Sequence, residues 1–237
     1  MTEAYEAILL GARVIMEPGH VYEIRVTDGG KDKTLSGYFN SPEIVAKEVV
    51  KIDGKYPAVY STLNPVMPEL IARSCNRLKI HARDTTNDKQ IAARKRILID
   101  FDPERPSGIS STDKEKILSY QAALETTDHL APVLGDPVIA DSGNGTHLLF
   151  RISYPNNKEA EEVIKHVLDA ASKHSTIRGV VVDTSVFNAA RLTKLYGSRT
   201  GKGDDFNGLP GIPARPHRRS RILNVPANWF SGQEDSQ

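Results

Sequence analysis

The chain has 237 residues, 39% hydrophobic and 26% charged, with no apolar run approaching the roughly 18 residues of a membrane helix, so disordered, fibrous and membrane-spanning readings are excluded. Lysine and arginine number 31 against 30 acids, a net charge of +1 that on its face speaks against nucleic-acid binding, although a mean can hide a lopsided distribution. A single cysteine, Cys75, forbids an intramolecular disulfide and any Cys-rich zinc site, and Glu3, Glu6 and Glu17 near the start read as no secretory signal, so a cytoplasmic protein without membrane contact is expected.

No internal repeat or low-complexity tract is visible. Residues 5–15 and 20–27 mix β-branched and apolar residues around Glu17-Pro18-Gly19, which predicts two strands and a turn. Ser41-Pro42 followed by Ile44, Val45, Val49 and Ile52 predicts a capped helix. A short strand is expected over 57–62 and a short helix over 68–73. Residues 73–96, rich in charge and poor in large apolar residues, read as a loop or exposed arm. Residues 97–102 then form an apolar run ending in carboxylates, a buried strand. Helical spacing over 112–124 precedes two strands, 137–141 and 146–152, joined by the tight hairpin Ser142-Gly143-Asn144-Gly145. An amphipathic helix over 156–174 leads to a second buried strand, 180–182, capped by Asp183. From Gly197 on the chain reads as loop-rich, with a loose tail over 227–237. Strand, helix, hairpin, helix, strand suits an α+β lobe of the ferredoxin or RNA-recognition type over 96–226, with an N-terminal α/β lobe over 1–95 beside it.

Asp100 and Asp102 lie two apart in a strand and therefore share a face. Two close carboxylates repel unless a cation neutralises them, and oxygen ligands suit Mg²⁺ or Mn²⁺. The alternative is one carboxylate capping the turn at Pro103 and one solvated. Asp183 repeats the pattern on a neighbouring strand, where a third acid would complete a two-metal site; alone it reads equally as a turn residue before Thr184 and Ser185. The Gly143 and Gly145 N–H groups suit a phosphate, and His147 could donate to one, though a lone strand histidine is often structural. Asn188, Arg191 and Lys194 are spaced three apart, as on one side of a helical turn, and suit a triphosphate; the alternative is a solvated face.

Asp100-Phe101-Asp102, Ser142-Gly-Asn-Gly-Thr-His147 and Val182-Asp183, in that order, resemble the three motifs of the archaeo-eukaryotic primase superfamily. The flanks Asp102-Pro103 with Arg105-Pro106, Thr62 to Pro65 with Arg73 and Asn76, and Pro216 to Arg218 are similar to primase-polymerases of phages, plasmids and CRISPR-linked loci. The resemblance covers about residues 56–226 and implies the family's two-lobed catalytic core. It implies a template-dependent nucleotidyltransferase that extends a 3′-hydroxyl and also starts chains without a primer. Asp100, Asp102 and Asp183 would bind two Mg²⁺ or Mn²⁺ ions. Ser142, Gly145, His147, Arg191 and Lys194, with Asn188, would contact the incoming triphosphate, and Asn64, Arg73 and Asn76 would lie around nucleotide or template. Single-stranded DNA, primer and nucleoside triphosphates are the implied partners, with a helicase or CRISPR adaptation proteins behind them. No Cys cluster for the zinc-binding stem of some relatives is present, and Tyr196 stands where proline is common. A two-metal nuclease and a catalytically idle nucleic-acid-binding module are the competing readings.

The charge of +1 conceals two basic stretches. Residues 73–96 hold eight Lys/Arg against Asp84 and Asp88, and 191–221 hold eight against Asp204 and Asp205. Arg77, Lys79, Arg83, Arg94 and Lys95 in the first, and Arg199, Lys202, Arg218 and Arg219 in the second, are expected to meet nucleic-acid phosphates, the alternative being two solvated loops.

Overall fold

The computed structural model describes residues 2–27 and 34–231; the tail from 232 on lies outside them. The first element corrects an expectation: α1 (Glu3–Ile15) is a helix, not a strand. Ile8, Leu9, Ala12 and Ile15 are buried at helical spacing. Thr2 caps the N-terminus, with Glu3 and Glu6 in the first turn and Arg13 in the last, as the helix dipole favours. β1 (Tyr22–Val26) and β2 (Leu35–Phe39) follow as an antiparallel pair. α2 (Pro42–Val50) starts on Ser41, whose Oγ accepts from Ile44 N at 3.3 Å. β3 (Tyr60–Thr62) pairs with β1. A 3₁₀ turn over Pro68–Arg73 leads into the basic segment. That segment does not hang free: Ser36 N donates to Lys79 O, and Asn76 N to Tyr38 O, docking it along the edge of β2.

The supposed arm also ends early, because β4 runs Ala93–Pro103 and takes Arg94 and Arg96 into the sheet at 3% and 1% exposure. α3 (Asp113–Leu134) runs a full ten residues past its predicted end, since Thr126 and Leu130 continue the buried stripe. β5 (Val138–Asp141) and β6 (Thr146–Pro155) form the expected hairpin, and α4 (Lys158–His174) the expected amphipathic helix on its Asn157 cap. β7 (Val180–Val182) is an edge strand rather than a buried one, with Val181 half exposed. β8 (Leu192–Lys194), β9 (Arg199–Thr200), β10 (Arg218–Arg219) and β11 (Arg221–Asn224) complete the chain.

Two larger antiparallel sheets result, beside a two-stranded pair of β9 with β10. One has the order β2-β1-β3-β8, the other β11-β5-β6-β4-β7. Strands β4 to β7 with α3 and α4 reproduce the ferredoxin-like βαββαβ order, so the α+β expectation holds. Alternation along β4 and β6 buries both faces. Ile97, Ile99, Phe101, Leu148 and Phe150 pack under α3 and α4; Leu98 and Leu149 pack with α1, β1 and α2. The lobes therefore share a wall. A boundary at 95/96 cuts through β4, and β8, from the far half of the chain, closes the N-terminal sheet. Residues 227–231, expected to begin the tail, are anchored instead. Trp229 is 2% exposed, its indole N–H donates to Val14 O at 3.2 Å, and the Arg96 and Arg151 guanidinium carbons lie 5.0 and 5.2 Å from its ring centre.

Candidate active site

Asp100 and His147 face each other across β4 and β6, Phe101 and Asp102 pair with Val182 and Val181 of β7, and Asp183 N donates to Asp100 O at 3.0 Å. Three strand ends thus bring the three predicted acids to one place. Asp100 Oδ1 is buried, lies 3.3 Å from His147 Nε2, and has no well-aligned hydrogen-bond donor. Burial pushes the Asp100 carboxyl up, but the ion pair with His147, aided by Arg191 and Lys202, outweighs it and holds the group below the usual aspartate range. Asp102 is more open, 3.5 Å from Arg105 Nη1. With Arg105, Ser107, Gly108 and Lys202 it lines a polar pocket of about 170 Å³.

Asp183 is turned away. Its Oδ1 accepts from Ser185 N and Oγ at 2.9 and 2.6 Å, and its Oδ2 pairs with Arg191 at 3.2 Å. Consequently no three His, Cys, Asp or Glu side chains among the described residues converge as a metal cluster. The donor chemistry nevertheless fits a hard divalent cation: all-carboxylate oxygens, one of them buried without a well-aligned donor.

The cations gather around these acids, though not on a helix. Asn188, Arg191 and Lys194 run through a turn into β8, and their spacing of three is not helical. Lys194 Nζ donates to Tyr60 Oη at 3.1 Å and Thr200 Oγ1 at 3.0 Å, and lies 4.3 Å from the Tyr60 ring centre. Burial, then repulsion from Lys202, pushes its pKa down to about 8 against the opposing pull of Asp100 and Asp102. Asn188 is held by Asp88 at 3.3 Å.

Several residues expected to contact nucleotide or nucleic acid have partners within the chain. The glycine hairpin closes on itself: Gly143 N donates to Asp141 Oδ1, and Gly145 N to Ser142 Oγ, whose own proton goes to Gly145 O. Neither N–H faces a phosphate here. Gly145 is required for packing, since a Cβ there would stand 2.3 Å from Phe101 O and 3.3 Å from Asp102 Oδ1. Asn64 is 1% exposed, donates to Ala189 O and accepts from Lys95 N and Arg96 N, which pins β4 and leaves little of its side chain for a ligand. Arg94 is bound to Phe187 O and Asn156, Arg218 to Ser111 O and Asp113, and Arg219 to Gly197 O and Asp53; all three serve the fold rather than an open surface. Lys95 is half-buried against Glu17 and Ser153. Arg73 donates to Tyr38 Oη, and Asn76 pairs with Asn40. Arg77, Lys79, Arg83 and Arg199 remain exposed, and Lys202 is exposed at the acid pocket itself. The contacts of Lys194 with Tyr60 and Thr200 escaped the sequence reading, because short-range pattern carries no signal for partners brought together by the pairing of β3 with β8 and by the turn that follows it.

No protein-family model and no curated protein matches the chain. Among solved structures, the crystal structure of primase RepB′ aligns at a TM-score of 0.54 and 9% identity, covering 94% of this chain and 56% of that one. The polymerase domain of Mycobacterium tuberculosis Ligase D, in complex with DNA, aligns at 0.50 and 15% identity, covering 91% and 79%. The chain thus spans little more than half the length of the RepB′ primase. Its fold is the one these two structures share, an α+β arrangement of two lobes.

Proposed function

We propose that the chain is a template-dependent nucleotidyltransferase that adds nucleotides to a 3′-hydroxyl on single-stranded DNA template and also initiates chains de novo. One observation carries the reading: a buried carboxylate oxygen of Asp100 without a well-aligned donor, at a junction of strand ends where Arg191, Lys194 and Lys202 collect. Asp100, Asp102 and Asp183 would hold divalent ions, Mg²⁺ or Mn²⁺, Asp183 once its carboxylate leaves Arg191. When bound, such ions make the attacking hydroxyl more acidic and offset charge that develops as pyrophosphate is displaced in line. Arg191, freed from Asp183, and Lys194 neutralise the triphosphate, with Lys202 at the pocket mouth. His147 turns Nε2–H from Asp100 toward a phosphate oxygen. Exposed Arg77, Lys79, Arg83 and Arg199 take the strand phosphates, a salt-sensitive attraction.

The test is incubation with single-stranded template, labelled nucleotides and Mg²⁺ or Mn²⁺, with and without primer, beside an Asp100→Ala/Asp102→Ala double variant and Asp183→Ala. Incorporation that disappears in both variants is expected. Undiminished extension by either overturns the assignment. Degradation of DNA without incorporation points to a nuclease, and nucleotide binding without incorporation to an idle module.

A further inference from the structure

His147 has two ring nitrogens, and only one faces the acids. The other, Nδ1, lies 2.7 Å from the hydroxyl of Tyr196, whose ring meets the imidazole edge-on at 77°. Tyr196 is fully buried, and its hydroxyl lies 3.2 Å from Thr193 Oγ1, itself 1% exposed on β8. The four groups form a line: Thr193 hydroxyl, Tyr196 hydroxyl, His147 imidazole, Asp100 carboxylate. They come from both sheets, since Thr193 pairs with Ser61 in one and His147 with Asp100 in the other.

Proton counting gives this line a direction. Asp100 accepts only, and a phenol carries one proton and accepts as well. A proton on His147 Nε2 faces Asp100 Oδ1 at 3.3 Å, a favourable contact though not a well-aligned hydrogen bond, while a bare Nε2 would set a lone pair against a carboxylate. With a neutral ring, Nδ1 is then the acceptor, Tyr196 donates to it, and Thr193 donates to Tyr196. With a cationic ring, Nδ1–H donates to the Tyr196 oxygen and Tyr196 donates to Thr193. In both states the hydroxyl adapts and Nε2 keeps its proton.

We propose that Tyr196 is a positioning residue, which holds the His147 ring and keeps its Nε2–H aimed at the acid cluster, ready for an oxygen of the nucleotide's triphosphate once a cation engages Asp100. The use of that N–H on a triphosphate rests on the nucleotidyltransferase reading; the Tyr196–His147 linkage does not. The position departs from the family resemblance, where proline is common and no side-chain hydroxyl exists, so the device belongs to this chain's own sequence. Burial of the ring also makes substitution clean, because phenylalanine fills the same space and deletes only the hydroxyl.

The experiment compares wild type, Tyr196→Phe and Thr193→Val in nucleotide addition and in long-range ¹H–¹⁵N spectra of the His147 ring without nucleotide. Tyr196→Phe is expected to move the Nδ1 resonance by removing its hydrogen-bond partner, and to lower kcat by roughly 10–100-fold, as loss of an orienting partner does, with a smaller change in KM. Thr193→Val shifts both readouts the same way by less. Wild-type ring resonances in Tyr196→Phe overturn the linkage, whatever the activity. A changed Nδ1 resonance with wild-type kcat and KM overturns the positioning role. If wild type itself incorporates no nucleotide, the functional reading falls and the ring spectra still decide the linkage.

Discussion

Lys194→Met separates the cost of the site from its use. Lowering a lysine from 10.5 to about 8 corresponds to as much as roughly 3 kcal/mol of folding free energy withheld by its buried charge. Below pH 8 the amine is charged in both folded and unfolded chains, so the cost is complete. Between pH 8 and 10.5 the folded protein has released the proton and the unfolded chain has not; the unfolded state binds more protons, and stability rises with pH. Methionine keeps the length and removes the charge, while forfeiting hydrogen bonds to Tyr60 and Thr200 worth about 1 kcal/mol each. The variant should therefore be more stable than wild type by about 1 kcal/mol at pH 7. The gap should close and reverse by pH 10.5, a swing of up to roughly 3 kcal/mol. Urea unfolding of both proteins at pH 7, 8.5 and 10 measures it, because other titrating groups cancel in the difference. A difference that stays constant across that range would refute the reasoning, as would a variant clearly less stable at pH 7. On the proposed function the same variant should also bind nucleoside triphosphate more weakly, measured by titration calorimetry.

Two further outcomes concern the scaffold. Glu23, 0% exposed, binds Arg25, Ser36 and Thr86 N, and although burial pushes its carboxyl up, Arg25 leads the partners that hold it below the usual range. Its ionised form therefore stabilises the fold at neutral pH and loses that contribution as pH falls below 4.5. Glu23→Ala should destabilise by about 3–5 kcal/mol at pH 7 and by less at pH 3.5, measured by urea unfolding; an equal loss at both values contradicts the ion-pair account. Gly145→Ala forces a Cβ onto Phe101 O beside Asp102 and should cut nucleotide incorporation while leaving the α3/α4 core melting as a unit; wild-type incorporation would show that the hairpin can shift freely.

Strand ends and acids were legible because an apolar run closed by carboxylates marks a strand buried on both faces: residues 97–102 and 146–152 alternate between two cores, and Asp100 and His147 fall opposite one another. α1 was misread because Ile and Val suggested a strand, although the stripe of Ile8, Ala12 and Ile15 carried the helical period. Asn64, Arg94 and Arg219 looked like ligand contacts because polar type alone does not reveal a backbone partner more than twenty residues away. Asp183's pairing with Arg191, eight residues on, was equally hidden: spacing suggested a common helical side, whereas a turn places guanidinium on carboxylate. Tyr196 was noticed only as a departure from a familiar pattern, and its meaning depended on where β8 lands.

The wall shared by the two lobes constrains how a substrate enters. A molecule whose halves meet across a linker opens by rotating them; here the boundary is the strand carrying Asp100 itself, packed on both faces. Rotation would tear the sheet that positions the acid. The segments over 103–112 and 197–217 ring the strand ends instead and pack closely on one another, since a Cβ on Gly203 would stand 2.6 Å from Gly108 O. The strand ends meet solvent at this rim, where Asp102, Arg105 and Lys202 line one pocket.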